Sequence, residues 1–418
     1  MDKKYDLIVV GGGFAGTAAA LEAAEKGLQV LLVEKYNCLG GAAANCLVLP
    51  FMNHWTKDPV TEEYKPLTGS MFLEIVERMA LLGGFHENKR TFDEEILKIV
   101  LNRMCIERGV NLLFNTTVTA VEMDGKRICS LRALGKSKIL ELCADHYIDA
   151  TGDAELSMLA GCRSKVGREE DGLCQPMTLC FRVGGVNREL FKAERQEINA
   201  HYKQLQAEGK IKNPREDILL FLTMHDDVIH YNTTRVVKCD PTDPFDVTKA
   251  EIEAREQVFE LMELFKQFKS FENAYLLSTA LQIGIRESRT VEGEYTLTVE
   301  DLKSLARFPD AIAVANYDID IRNPEGAGTS HYYFGDGEYY QIPYRCLIPK
   351  DCENMLVAGR CISSTHEAQA SYRIMPFCCE LGQAAGAAVS VAVQDGTDLR
   401  GVDIQKLQTI LRNEQFLI

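Results

Sequence analysis

At 418 residues the chain has room for two or three domains, and its 46% apolar and 26% charged residues are ordinary for a soluble globular protein. The net charge is −15, and no Lys/Arg cluster is dense enough to track a phosphate backbone, so no nucleic-acid partner is expected. No stretch approaches the ~20 apolar residues of a spanning helix, so no membrane span is expected. The opening MDKKYD runs straight into a strand, which leaves no room for a signal peptide and points to the cytoplasm. The 14 cysteines form no C-x-x-C, so they read as reduced, mostly buried small apolar residues, and no metal site is expected.

In chain order, the first organised stretch is YDLIVVGGGFAGTAAALEAAEKGLQVLLVE, residues 5 to 34. Leu7 to Val10 reads as a buried parallel strand, and an Ala-rich helix follows to about Lys26, with Gly27 as its stop. A second strand, Gln29 to Val33, ends in Glu34. Between strand and helix lies Gly11-Gly12-Gly13-Phe14-Ala15-Gly16. Gly11 makes the tight turn, Gly13 lets the main chain approach a diphosphate, and Gly16 lets helix and strand pack closely. The helix N-terminus offers N–H groups and partial positive charge to the diphosphate, and Glu34 can accept from an adenosine ribose. Strand, glycines, helix, second strand and terminal acid together make this a dinucleotide site.

Lys35 follows, and then a second small-residue loop, Cys38-Leu39-Gly40-Gly41-Ala42-Ala43-Ala44. It stands where a larger dinucleotide would continue past its diphosphate. Residues 45 to 69, with three prolines and the only tryptophan, read as irregular. Ser70 to Leu82 reads as an amphipathic helix. Phe92 to Arg108 is a stronger one, with Phe92, Ile96, Ile99, Val100 and Met104 at helical spacing. Strands joined at Asp124-Gly125 come next, then HYIDATGDAELSMLAG (146 to 161), an apolar strand closing on Ala150-Thr151-Gly152.

From about Gly167 to Gln341 the pattern changes: a strand-like QPMTLCFRVGGV precedes charged helices over Arg188 to Glu208, Pro214 to Thr223 and Thr248 to Phe268. We read 167–341 as an inserted α+β substrate or cap domain, and 1–166 with 342–418 as one discontinuous dinucleotide-binding domain. The closing stretch, 342 to 393, holds a buried strand, Asn354 to Ala358, broken at Gly359-Arg360. A helix of small residues then begins at about Pro376. Its small face is expected to lie against the sheet or the cofactor.

The N-terminal placement of the glycine motif, the Leu-Gly-Gly loop and the Ala-Thr-Gly segment resemble flavoproteins of the glutathione-reductase-type FAD superfamily. With ESRTVEGEYTLTVEDL (287 to 302), IRNPEGAGT (321 to 329) and the stretch 342 to 393, the chain resembles FAD-dependent oxidoreductases of its succinate dehydrogenase/fumarate reductase-like branch. The resemblance implies an α/β fold: a Rossmann-like domain with a central parallel sheet and a small β-meander, carrying non-covalent FAD. It assigns the diphosphate to Gly11, Gly12, Gly13, Phe14, Ala15 and Gly16, and the ribose to Glu34 with Lys35. Gly40, Gly41, Ala42 and Ala43 would line the diphosphate–ribityl region, with Thr117-Val118 passing the adenine. Ala150, Thr151 and Gly152 would approach from the other side, and Gly359-Arg360 would meet the ribityl chain. Met375, Pro376 and Phe377 would face the flavin pyrimidine edge, where a helix N-terminus stabilises the negative charge of the reduced ring.

Two departures stand out. No cysteine partner accompanies Cys46 after the Gly-Gly loop, so a redox disulfide is not expected there. No second strand–glycine–helix unit is evident in the sequence either, so no dedicated NAD(P)H domain is expected. The candidates for substrate chemistry are His366 and Arg373, close in sequence to the flavin-edge helix, His331 beside Tyr332 and Tyr333, and Arg286 with Arg289, which could clamp a carboxylate. The expected activity is hydride transfer between flavin and a small polar organic substrate. The alternative is an electron-transfer subunit whose FAD serves a protein redox partner.

Overall fold

The computed structural model describes residues 5–418. Five parallel strands form the central sheet in the order Met355–Val357, Ala144–Asp149, Tyr5–Val10, Val30–Val33, Asn111–Leu113. Their near-continuous apolar sequences follow from burial on both faces: Leu7, Ile8, Val9, Val30 and Leu32 have no exposed surface. Val10 pairs with both Val33 and Asp149, and Asp149 pairs with Val357. Four strands therefore end at one level, and their loops open together at the carboxyl edge, where α/β sheets bind ligands.

The helix Phe14–Glu25 lies beside the closing helix Met375–Asp395 at backbone contact. A Cβ on Gly382 would stand 1.9 Å from the Ala15 carbonyl oxygen, and one on Gly386 2.4 Å from that of Ala19. The small face of the closing helix thus packs on the opening helix, rather than on the sheet or a ring as its sequence suggests. This is also the one helix among the described residues that is long and apolar enough to cross a membrane, but nearly all of it is buried inside the fold.

The helix over Glu94–Glu107 is capped by Asp93, whose carboxylate accepts from the Glu95 and Ile96 amides. Its buried face is Leu97, Val100, Leu101 and Met104. Ile99, expected on that face, is exposed instead, a turn of the wheel that the apolar residues alone did not fix. Strands Thr116–Asp124, Arg127–Gly135 and Lys138–Leu142 make a three-stranded antiparallel meander turning at Gly125, as its hairpin signal predicts. All described cysteines are free thiols, buried except Cys129 and Cys143.

A second core lies over the carboxyl edge. Its antiparallel sheet runs Leu220–Leu222, Ile229–Tyr231, Phe181–Gly184, Tyr275–Thr279, and the helices Arg188–Ala207 and Pro244–Phe265 cover it. The helix expected over 214–223 is absent: Leu220–Leu222 pairs with Ile229–Tyr231, and the ladder outweighs weak helix propensity. Stacked Phe181 and Tyr231 (ring centroids 4.9 Å apart) and Phe265 fill this core, which gathers residues between Met177 and Ile283 together with Leu47. Residues such as Val291, Leu297, Leu302 and Ile312 to Ala315 join the first core. Arg182 Nη1 donates to Glu94 Oε1 at 2.7 Å and ties the second sheet to the first unit.

Candidate functional site

One cavity of about 650 Å³ runs from the carboxyl edge of the parallel sheet to the underside of the antiparallel one. At the sheet end its wall is main chain. Gly11 takes φ +102°, where a Cβ would stand 2.4 Å from the Ala150 carbonyl oxygen, and Gly16 packs so closely on Gly11 that only hydrogen fits. No side chain caps the helix that begins at Phe14 and no acid lies in its first turn, so its leading N–H groups remain available at the cavity wall. Gly41, at φ +51°, faces Gly13: a Cβ there would meet Gly13 Cα at 2.8 Å. Gly40 N donates to Gly12 O at 2.9 Å, which ties the second glycine loop to the first.

Glu34 lies at the cavity wall, almost fully buried, and its Oε1 accepts from Tyr36 N at 2.8 Å. Burial holds its carboxyl above the usual range, partly offset by the hydrogen bonds from the Tyr36 and Gly12 amides. Lys35 reaches Glu155 at 3.1 Å. The turn after the strand Ala144–Asp149 is held by Asp149, which accepts from Thr151 Oγ1 at 2.7 Å and from Ser157 N at 2.7 Å, so Ala150, Thr151 and Gly152 face the cavity. Across it, Arg360 donates to Asp153 at 2.5 Å. Burial opposes ionisation of Asp153, yet the Arg360 guanidinium holds its carboxyl below the usual range. Thr117 and Val118 of the meander, Ala358, Gly359 and Met375 complete this end. Gly12, Gly16, Ala43, Pro376 and Phe377 stand behind the wall and shape it from beneath.

The cradle suits FAD on three observations. Two glycine loops approach where side chains would collide, a buried acid stands at the cavity wall where the second strand ends, and a second uncapped helix begins at Met375, also with no acid in its first turn. Two helix N-termini therefore face one elongated cavity, a fitting arrangement for a diphosphate at one and an electron-accepting ring at the other.

At the far end the wall is side chain. Arg286 Nη1 donates to Pro176 O at 2.6 Å and Thr178 Oγ1 at 2.7 Å, and its Nη2 to Asn232 Oδ1 at 3.2 Å. Buried Asp320 accepts from Arg322 at 3.1 Å and from the Tyr317 hydroxyl at 3.2 Å, and Arg373 lies 3.7 Å from it. Burial and the like charges of Arg322 and Arg373 push Arg286 down to about 9. Burial opposes ionisation of Asp320, but Arg373 and Arg322 keep it below the ordinary carboxyl range. Tyr317 holds its proton more firmly than a free phenol, through burial and the nearby Asp320 charge.

Of the residues singled out for chemistry, Arg286 and Arg373 line the cavity, whereas His366 and His331 do not. His366 is buried behind the wall with Nδ1 2.6 Å from Glu287 Oε1. Burial works against its charged ring, but Glu287 holds it above the usual imidazole range. Glu287 also accepts from Gln175 N at 2.8 Å, so the pair braces the segment that carries Arg286. His331 is half-exposed, 2.7 Å from Asp318 Oδ2 and 3.8 Å from Asp320 Oδ1. Arg289 donates to the Asp153 carbonyl at 3.3 Å. Tyr317, Asp320, Arg322, Thr178 and Asn232 were not singled out from the sequence. Asp320 and Arg322 flank and enter IRNPEGAGT, so the alternation D-I-D-I-R was the available signal. Cys46 and Cys378 line the cavity too, but burial pushes their thiols up to about 11 and about 12, which disfavours the thiolate.

The sequence profile described as FAD dependent oxidoreductase matches residues 6–411. The chain belongs to this family. Among curated relatives, a digeranylgeranylglycerophospholipid reductase of Picrophilus torridus is 27% identical over 184 residues, 41% of this chain and 45% of that protein. A glutathione reductase of Debaryomyces hansenii is 40% identical over 162 residues, 38% of this chain and 29% of that one. The chain thus spans less than half the length of these relatives. A solved geranylgeranyl bacteriochlorophyll reductase-like protein from Thermoplasma acidophilum shares the fold, with a TM-score of 0.50 at 11% identity over 99% of this chain and 84% of its own.

Proposed function

We propose that the enzyme transfers a hydride between FAD and a small polar organic substrate held between the parallel sheet and the antiparallel cap. One observation carries this reading: the main-chain cradle and the Arg286–Tyr317–Asp320–Arg373 cluster line the same cavity. FAD, when bound, supplies the hydride chemistry. The chain's own groups do the rest. The phenol of Tyr317, hydrogen-bonded to Asp320 and reluctant to ionise, holds a proton at the cavity wall where a substrate heteroatom or carbon can exchange it. Arg286 and Arg373 orient the substrate. The cap sheet, tied down by Arg182–Glu94 and by the hydrogen bond between Tyr36 and Gln282, excludes bulk water.

The test is anaerobic mixing of the FAD-loaded protein with a panel of small polar metabolites, in both redox states, while following the flavin absorption. Reduction by one compound class, or reoxidation of the reduced protein by it, is expected. If only a protein partner exchanges electrons with it, an electron-transfer subunit replaces this reading.

A further inference from the structure

Asp320 keeps one of its two oxygens buried and without a partner. The strand Ile319–Arg322 pairs with Thr329–Tyr332, and Asp320 stands directly opposite His331. Residues two apart on a strand share a face, so the imidazole sits between Asp318 and Asp320. The outer contact is closed: His331 Nδ1 lies 2.7 Å from Asp318 Oδ2. A carboxylate only accepts, so Nδ1 carries the hydrogen, and Nε2 is left to load and unload a second proton. Nε2 faces Asp320 Oδ1, the unpartnered oxygen, at 3.8 Å. The other oxygen, Oδ2, accepts from the Tyr317 hydroxyl at 3.2 Å and from Arg322 at 3.1 Å, with Arg373 3.7 Å away. Tyr317 and Asp320 line the cavity, whereas His331 does not, and its side chain is 30% exposed. Tyr333 stacks on the imidazole, ring centroids 5.4 Å apart, and fixes its plane.

We propose that His331, Asp320 and Tyr317 form a proton relay from solvent to the cavity, with Asp318 anchoring the imidazole at its outer end. The inference rests on the reading of Tyr317 as the group that holds a proton at the cavity wall, and deepens it by naming the route that reloads it. When the Tyr317 O–H bond breaks in favour of a substrate atom, a phenolate is left beside Asp320 Oδ2. A shift of roughly 1 Å brings protonated His331 to hydrogen-bond distance of Asp320 Oδ1. The charged ring then satisfies the oxygen that the neutral ring leaves unpaired. The Nε2–H bond breaks and an O–H bond forms at Oδ1. Neutralised, the carboxyl group is released from Arg322, and a half-turn about its broad Cβ–Cγ torsion presents the proton to the phenolate. His331 takes its next proton from water. One proton enters for each one given up and no electron moves along the route; in the opposite direction the same groups discharge it. Arg373 and Arg322 keep Asp320 ionised at rest, so it passes the proton on rather than storing it.

The experiment is NMR of the oxidised, FAD-loaded protein, its tyrosines labelled with carbon-13 at Cζ, in an equal mixture of light and heavy water. The Cζ line splits in two where the hydroxyl exchanges its hydrogen slowly and merges into one where exchange is fast. Tyr317→Phe identifies the line. One merged line is expected for the unsubstituted protein and two for His331→Gln, an exchange slowed roughly tenfold or more. Imidazole added to His331→Ala is expected to merge the lines again. Asp318→Asn, which keeps an acceptor and loses the charge, is expected to slow exchange less. If His331→Gln loses its fold or its FAD, Asp318→Asn carries the comparison, and unaltered exchange there overturns the proposal. Two lines in the unsubstituted protein, or one unchanged line in His331→Gln, overturn it as well. So does failure of imidazole to restore exchange, which would leave His331 as a cross-strand brace alone. Exchange is read without substrate, so a relay intact in a protein that no small molecule reduces stands while the hydride-transfer reading falls.

Discussion

The two ends of the cavity are walled by opposite means. At the sheet end the wall is main chain: amides of two uncapped helices, glycines without room for a Cβ, and one buried acid. At the cap end it is side chain, from five separate segments around Thr178, Asn232, Arg286, Asp320 and Arg373. A main-chain cradle is rigid because the sheet and the packed helices fix it. A side-chain cluster is set by charge balance and can be retuned one residue at a time. The sheet end therefore suits a constant cofactor, and the cap end a substrate that differs between relatives.

The contrast can be broken most forcefully at Arg360. Arg360→Met leaves Asp153 without its counter-charge, with each side chain only about one-fifth exposed. A stability loss of about 3 kcal/mol is expected, largely recovered in Arg360→Met/Asp153→Asn, read from urea unfolding midpoints. Gly382→Ala attacks the helix pair instead. Its methyl would overlap the Ala15 carbonyl, and separating the helices is expected to cost about 2–3 kcal/mol and to loosen FAD, seen as faster release of fluorescence on dilution.

Acid sharpens the comparison by acting on the cap. His230, wholly buried with both ring nitrogens unpartnered, is pushed by burial, then by the Arg182 charge, down to about 3. The unfolded ring takes up its proton near pH 6.5. Its contribution is therefore complete above that pH and declines as pH falls towards 3. From pH 6.5 to 5 the loss is about 2 kcal/mol. Hydrogen exchange at 229–231 is expected to accelerate over this range before exchange at 5–10 does, and His230→Phe to abolish the difference. His54, on the sheet side, is lowered to about 4 but keeps its bond to Met52 O, so its span is shorter. The smallest effect belongs to Glu34→Gln, which retains an acceptor and loses the charge: FAD affinity is expected to fall by roughly tenfold or less, by fluorescence titration of apoprotein.

What the sequence disclosed follows the same division. Gly11, Gly13, Gly16 and Gly41 were readable because a backbone that must approach a ligand demands a particular residue at a particular spacing. Glu34 was readable from its distance along the unit. Arg286 and Arg373, singled out by their position beside recognisable segments, line the cavity. Tyr317, Asp320 and Arg322 were not singled out, because nothing local distinguishes a cavity-lining arginine from one that braces a fold. The packing of the closing helix on Ala15 and Ala19 was half visible: small residues announced close approach but not the partner. The strand Leu220–Leu222 was misread as helix because its ladder partner lies beyond a turn, outside the periodicity window.

Because Gly382 and Gly386 lock the closing helix alongside the opening one, both dipoles converge on a single chamber, where neither can be redirected without dismantling the other. The positive end of the closing helix would favour the negative charge of a reduced ring lodged beside it. The bound flavin should consequently show a midpoint potential above that of the free cofactor, a redox poise set by where two glycines sit on a helix.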